Sequence, residues 1–583
     1  MEHLLAGTSI ADHLTALYGE ADGRATLRRL ETLMAAHRNH LPSEVRIGLT
    51  EKDAVLISYA DQIQTPGEPP LRTLVDFCRK HLRGLVTTIH ILPFFPSSSD
   101  DGFSVVDYRS VDPEWGTWEQ ISDLGHSFRL MVDAVLNHAS AQSSWFQAFL
   151  RGDSQYREFF ISLKGAPDLS MVVRPRTSPL LTLFRGASGD ASVWTTFSAD
   201  QVDLNYRNPN VLLEMIDILL TYVRHGASLL RLDAIAYLWK EPGTACIHLP
   251  QTHRIIQLLR AVLDTVAPHV LLITETNVPH EENLSYFGDG VHEAQLVYNF
   301  ALAPLVLDAF HRGTSHRLSA WAAGLKAPSR STAFFNFLAS HDGIGLNPAR
   351  GWIPGDEVDA LVGRTLARGG RVSEKRNTDG SVSPYELNIN FFDALSDPLC
   401  EELLGLQIDR FLTAQAILLS LTGVPGIYFH SLFGSRGWPE GADMTGHNRA
   451  INRQKLGRSE LDADLADHAS LRARVFRGYA ALLRARAASP AFHPAGEQEV
   501  LACGEGIFAV CRTSPQGNQR VLCLHNVTKV PQVVEGDFHL ALGVPARGLR
   551  DLIADRWLSM EEARRLEPLQ TLWVSPQPPG YSN

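Results

Sequence analysis

Arg231 and Asp233 stand two residues apart in the stretch 229–237, LLRLDAIAY. The stretch opens apolar, as a strand buried on both faces does, and alternation along a strand points both side chains the same way. A guanidinium beside a carboxylate keeps that carboxylate ionised. An ionised, oriented Asp at a strand's C-terminal end is what nucleophilic attack on a sugar carbon needs. A structural ion pair has the same spelling, so this pair does not decide alone. Three other apolar runs end in comparable groups. RLMVDAVLNH (129–138) carries Asp133, Asn137 and His138; HVLLITET (269–276) carries Glu275; STAFFNFLASHDG (331–343) ends in His341 and Asp342. Singly, Asp133 and Asn137 read as turn formers, Glu275 as a helix-capping carboxylate, and His341-Asp342 as a capping pair before Gly343. Together they place carboxylates on one rim without matching cations, an unstable arrangement unless a reaction uses it.

The elements that must hold these groups follow from periodicity. From Asp53 onward, short apolar runs alternate with amphipathic stretches, the pattern of βα units on a parallel sheet. The strands are expected at 53–61, 84–96, 129–138, 227–237, 269–276, 293–301, 331–343 and 423–430. Helices are expected at 71–82, 117–127, 212–226, 255–266, 409–422 and 471–486. Eight such units make an α/β (β/α)8 TIM barrel, whose catalytic groups lie at the C-terminal strand ends. Residues 1–137 combine N-terminal packing helices with the first part of the barrel. Residues 138–208, rich in Ser, Pro, Gly and aromatics, form one loop-inserted subdomain; 209–343 resume the barrel. Residues 344–396, containing ARGGRVSEKRNTDGSVSP, form a second insertion, and 397–490 close the barrel. Insertions of this length in a compact enzyme are usually functional. Period-two stretches in 491–583 read as a C-terminal all-β domain.

Composition limits the partners. Hydrophobic residues make up 44% and charged residues 20% of 583, and the net charge is −11. A chain of this kind is globular and repels nucleic acid and anionic membranes. There is no apolar run long enough to span a bilayer, and the start, MEHLLAGTSIADH, lacks the basic and apolar regions of a signal peptide. The 6 cysteines are scattered without metal-ligand spacing and read as reduced thiols of a cytoplasmic protein. Oligomeric state is not legible, and a homodimer stays open.

DAVLNH, QVDLN (201–205), RLDAIAY, the Glu after LLIT and ASHDG occur in that order. They resemble the conserved regions of the α-amylase family of glycoside hydrolases, and the likeness covers the chain beyond its N-terminal helices. The resemblance implies a retaining double displacement. Asp233 is implied as nucleophile, Glu275 as acid and then base, and Asp342 as stabiliser of the distorted sugar. The two reacting carboxyls of a retaining enzyme stand about 5–5.5 Å apart. Arg231 is implied to orient Asp233 and keep its pKa low, with that of Glu275 raised. His138, Gln201 and His341 are implied at the glucose hydroxyls.

A narrower likeness concerns the second substrate. LPFFPSSSDDGFSVVDYRSVDP, KEPGTACIHLPQT and ASHDGIG are similar to the sucrose phosphorylase group of that family. The match implies that Asp100 and Phe103 close the glucose pocket and that Tyr237 lines it. It implies too that Arg449 of HNRAINR clamps a distal hydroxyl together with Asp100. Such a pocket takes one terminal glucose and excludes a polymer. Phosphorolysis brings a dianion among carboxylates and so needs cations, best Arg. Arg174 and Arg176 of RPR suit this, with Arg176 chosen for phosphate; Tyr385 and Glu386 of PYELN match the group's mobile acceptor loop. Without the resemblance, the two arginines read as a solvated surface pair. Two residues after Glu275 stands Asn277, where sucrose phosphorylases have a His. WKEPGTACIHLPQTH, PYELN and FHSLFGSR (429–436) look closer to the glucosylglycerate phosphorylases of the same subgroup. Glycerate needs a cationic partner, for which Arg176, Lys240 and Arg436 are candidates.

The expected reaction is therefore reversible phosphorolysis of a small α-glucoside, glucosylglycerate first, to α-glucose 1-phosphate. Sucrose, sucrose 6′-phosphate and glucosylglycerol follow as donors. An α-glucosidase, or a non-catalytic amylase-like interaction subunit, is the remaining alternative. The partners are the glucoside and inorganic phosphate. The mechanism calls for no metal and no organic cofactor.

Overall fold

The computed structural model describes residues 9–41, 48–165, 167–187, 189–543 and 548–576. Eight parallel strands close into a barrel in sequence order: β1 (Val55–Ser58), β2 (Thr88–Ile91), β3 (Arg129–Val135), β4 (Ala227–Asp233), β5 (Leu271–Thr274), β6 (Leu296–Asn299), β7 (Ala333–Asn336) and β8 (Val424–Tyr428). Their residues are buried almost without exception, because side chains fill the barrel inside while helices cover it outside. The expected (β/α)8 fold is thus present. The strands are shorter than the apolar runs that announced them. β7 stops at Asn336, so His341 and Asp342 stand on the loop beyond it rather than on the strand.

Register sets the first element of the site. Across β3 and β4, Arg231 pairs with Asp133, and across β4 and β5 it pairs with Ile273. Parallel neighbours in register point their side chains to the same face. Arg231 and Asp133 therefore lie side by side inside the barrel mouth.

The helix Ile10–Arg38 starts at a Ser9–Asp12 capping box and lies across the helices Pro209–Arg224 and Pro250–Val266. Leu30 and Met34 are buried and Leu27 is half-buried, as a packing helix requires. Residues 1–8 and 42–47 of the expected helical region lie outside the described residues.

After β3, the short strands His138–Ser140 and Gln201–Asp203 pair antiparallel, and a three-stranded sheet is built on Gly189–Trp194. After β7, Arg371–Arg376 and Ile344–Gly345 flank Val382–Asn388 in a second small sheet, next to the helix Gly355–Ala367. The C-terminal region folds as a six-stranded sheet with its own core, including Leu522, Leu524, Leu549 and Val574. Arg512 ties it to the barrel by donating to the Ser420 carbonyl at 3.0 Å. Two short helices, Phe538–Leu542 and Met560–Ala563, interrupt its strands; turn-rich period-two sequence gave no sign of them. Among the described residues no helix is long and apolar enough to cross a membrane.

Candidate active site

A cavity opens at the C-terminal end of the barrel. Asp233, Glu275 and Asp342 converge in its wall with Asp100, Phe103, His138, Gln201, Tyr237 and His341. Arg176, Tyr385, Glu386 and Arg449 line it as well. Arg231 does not line it but lies directly beneath, 1% exposed.

Asp233 ends β4. Ala234 follows in the left-handed region, at φ 48°, a costly conformation for a residue with a Cβ. That turn aims the Ala234 N–H at Glu275 Oε2, 3.2 Å away. The strained step thus locks together two carboxyl-bearing strands. Arg231 contacts Asp133 and stands 3.0 Å from Asp233 Oδ1 and 3.9 Å from Glu275 Oε2. The far oxygen of Asp133 meets His90 Nε2 at 2.6 Å. One guanidinium is therefore shared by three buried carboxyl groups.

That sharing corrects one expectation. Asp233 was expected to titrate low, but burial, helped by the charges of Glu275, Asp133 and Asp342, pushes its carboxyl well above the usual range despite Arg231. Burial also raises Glu275, again against Arg231 and with Asp342 adding to the rise. Both carboxyls of the pair are thus raised, chiefly by burial. Arg231, nearer to Asp233, favours the negative charge there.

Asp342 behaves oppositely. Burial alone would raise it, but Arg449, His341, Arg231 and Arg453 together hold it below the usual carboxylate range. Arg449 reaches Asp342 Oδ1 at 2.5 Å and grips Glu386 through Nε and Nη2 at 3.1 and 2.7 Å. Asp100 also stands 3.8 Å from Arg453, which contacts Asp101 and donates to the His341 carbonyl at 2.9 Å. Both arginines belong to NRAINR, and the 3-10 helix Asn448–Asn452 separates their directions. Gln201 donates to Asp100 at 3.2 Å, and Phe103 stacks on His341 at 5.0 Å. Burial drives His341 down to about 3 and lowers His138, whose Nε2 meets the Phe103 carbonyl at 3.1 Å.

The wider side is built by the insertions. Val173 donates to the Ala245 carbonyl at 3.0 Å, and Val172 packs in a small cluster with Leu180, Trp194 and Cys246. These anchors hold the RPR segment over the cavity. Arg176 lies 5.7 Å from the Phe197 ring and 5.5 Å from the Tyr385 ring, its guanidinium held by two aromatic faces. Asn277 Oδ1 and His341 Nδ1 are buried without protein partners, as expected of groups waiting for a polar ligand.

Two candidate cations are committed elsewhere. Lys240 Nζ lies 2.5 Å from Asn137 Oδ1 and 2.6 Å from Asp203 Oδ2, fully enclosed. Arg436 donates to Asp393 and Gln407 and stacks on Phe392. Arg176 alone of the three candidates named for a glycerate carboxylate lines the cavity. Arg453, Phe197 and Asn277 were missed as site residues. Asn277 had a signal, its place two residues past Glu275, whereas Phe197 had none.

Fold and site together define an α-amylase-type barrel, a closed β/α scaffold holding three carboxyls in a sugar-sized cup. The α-amylase catalytic-domain model matches residues 80–342. A glucosylglycerate phosphorylase of Allomeiothermus silvanus is 52% identical over 97% of this chain and 98% of its own. One from Spirochaeta thermophila is 53% identical over 89% of each. The solved sucrose 6F-phosphate phosphorylase of Thermoanaerobacter thermosaccharolyticum superposes with a TM-score of 0.72 at 24% identity, covering 83% of this chain and 95% of that one. The chain belongs to the α-amylase family, in the group of the glucosylglycerate phosphorylases.

Proposed function

We propose that this protein is a retaining glucosyl phosphorylase that converts glucosylglycerate and phosphate to α-glucose 1-phosphate and glycerate. The observation that carries the reading is the cup itself: Asp233, Glu275 and Asp342 converge in one cavity that Arg176 also lines.

Asp233 attacks the anomeric carbon while Glu275 gives its proton to the departing glycerate oxygen, and a β-glucosyl ester forms. Phosphate then enters on the vacated face. Its oxygen attacks the same carbon, the ester bond to Asp233 breaks, and the phosphate proton passes to Glu275, restoring the starting state. Two inversions give net retention. Asp342, kept ionised by Arg449 and Arg453, accepts hydrogen bonds from the sugar hydroxyls as positive charge develops on the ring. Arg176, ordered by Phe197 and Tyr385, offers planar donors to phosphate and, in the other half-reaction, to the glycerate carboxylate. The names shared by the relatives support glycerate as the acceptor. So does the engagement of Lys240 with Asp203 and of Arg436 with Asp393 away from the cavity, which leaves Arg176 as its cation.

A donor panel with and without phosphate tests the reading. Glucosylglycerate should yield α-glucose 1-phosphate only when phosphate is present, and sucrose should react far more slowly. Free glucose released at the same rate without phosphate would show an α-glucosidase instead.

A further inference from the structure

Outside the cavity, four cations stand in two like-charged pairs. Arg174, two residues before Arg176, feels the charge of Arg376; Lys375 feels that of Arg350. Among the described residues none of the four has an ion-pair partner. Burial and Arg350 bring Lys375 down to about 8, against the attraction of Glu282. The Nε of Arg174 is buried with no acceptor.

Their placement is tied to the site. Lys375 and Arg376 lie opposite Ser383 and Val382, on the strand beside the one that carries Tyr385 and Glu386 into the cavity. They are two to four residues further out, or about 7–13 Å at strand spacing. Alternation sends Lys375 and Arg376 to opposite faces of that strand, so each meets its partner from a different loop. Arg174 comes from the insertion after β3 and Arg350 from the loop after β7. Positive charge from three segments thus gathers beside the strand that carries Tyr385 and Glu386 to the cavity, while the chain as a whole carries −11.

We propose that Arg174, Arg350, Lys375 and Arg376 form a cationic collar that concentrates phosphate and the acidic glucoside at the mouth of the cavity. The inference rests on the phosphorylase reading above. It assigns these side chains no contact in the transition state. It adds what that reading lacks, a means for a dianion to approach a net-negative protein and a carboxylate-rich cup.

The test is K375Q/R376Q, compared with wild type at low and high salt. At low ionic strength the KM for phosphate should rise about threefold per charge removed, roughly tenfold for the pair. The kcat at saturating phosphate should be unchanged, and the salt dependence of kcat/KM should flatten. Hydrolysis of α-glucosyl fluoride, an uncharged donor, should stay at the wild-type rate. If the hairpin variant loses that hydrolysis as well, R174Q/R350Q, on two other loops, decides by the same readings. A KM for phosphate within twofold of wild type, with salt dependence intact, overturns the collar and leaves the phosphorylase reading standing. Wild type that forms no glucose 1-phosphate overturns both.

Discussion

Replacing Lys240 by Met removes a buried ammonium and keeps much of the side-chain volume. Asp203, fully buried, would retain three donors: the Thr196 N–H and hydroxyl at 2.7 Å each, and Asn137 Nδ2 at 3.1 Å. Asn137 Oδ1 would lose its partner. Breaking a buried ion pair costs about 3–5 kcal/mol. The three surviving donors place Asp203 at the low end, and an orphaned amide oxygen adds about 1 kcal/mol. A loss of about 3–4 kcal/mol follows. Unfolding entropy of about 2.1 cal/mol/K per residue, taken over 583 residues, gives a fall in Tm of about 3 °C for cooperative unfolding. The functional consequence is local. Asp203 ends the short strand that holds Gln201 against His138, and both line the cavity. The KM for the glucoside should therefore rise more than kcat falls. Differential scanning calorimetry and initial-rate kinetics on K240M measure both effects. The decisive variant is K240M/D203N, in which the uncompensated charge is gone; it should recover about half the lost stability. If the double variant is no more stable than K240M, or if K240M raises the KM for glycerate alone, the bridge is not what this ammonium does.

Asp233→Asn should abolish turnover yet raise stability at neutral pH by about 1–2 kcal/mol. The folded state raises this carboxyl, so its protonated form stabilises the fold at low pH and that contribution is lost as pH rises through the folded value. Asp342→Asn should also inactivate but lower Tm, because a depressed carboxyl stabilises above its unfolded pKa of about 3.9 and loses that contribution as pH falls; equal Tm shifts in the two variants would contradict the assignment. Glu275→Ala should slow glucosylglycerate cleavage about 10²–10⁴-fold and spare glucosyl transfer from α-glucosyl fluoride, whose leaving group needs no acid. For wild type, kcat against pH should be bell-shaped, with its alkaline limb above the ordinary carboxylate range, since both Asp233 and Glu275 are raised. Arg176→Lys should raise the KM for phosphate about tenfold or more, because an ammonium neither forks around phosphate nor lies flat between Phe197 and Tyr385.

The barrel was legible because each strand is an apolar run too short to be anything else, and the polar residue that ends it names the rim. That holds for Asp233 and Glu275. It holds less well for Asp342, whose loop leaves β7 at Asn336 and returns over the mouth. What one dimension hides is partnership. Arg231 reads as the companion of Asp233, two residues away; register gives its closest contact to Asp133 on the neighbouring strand. The low titration expected of Asp233 failed because burial outweighs Arg231, whose charge Asp133 also draws on. Arg449 and Arg453 are four residues apart in a repeat of the same letters, and only the 3-10 turn decides which grips Glu386 and which contacts Asp101. Lys240 follows a tryptophan in a Pro- and Gly-rich loop and looks exposed, yet it is sealed beneath the first insertion.

The division of charge explains why the same barrel can keep its glucose chemistry while its acceptor changes. Asp233, Glu275 and Arg231 are held by neighbouring strands and by a strained turn at Ala234. Any shift there would disturb a guanidinium shared among Asp133, Asp233 and Glu275. The acceptor side is held differently. Arg176 rests on two aromatic rings, and Glu386 is neutralised by an arginine that also serves Asp342. Substitutions in the two insertions can therefore alter which anion is welcome without touching Asp233 and Glu275. Arg449 is the exception, because it joins both sides. Loss of its guanidinium would free Glu386 at the acceptor and let the Asp342 carboxyl rise at the glucose, so R449Q should impair glucosyl transfer to water as severely as transfer to phosphate. Intact hydrolysis of α-glucosyl fluoride by R449Q would break that coupling.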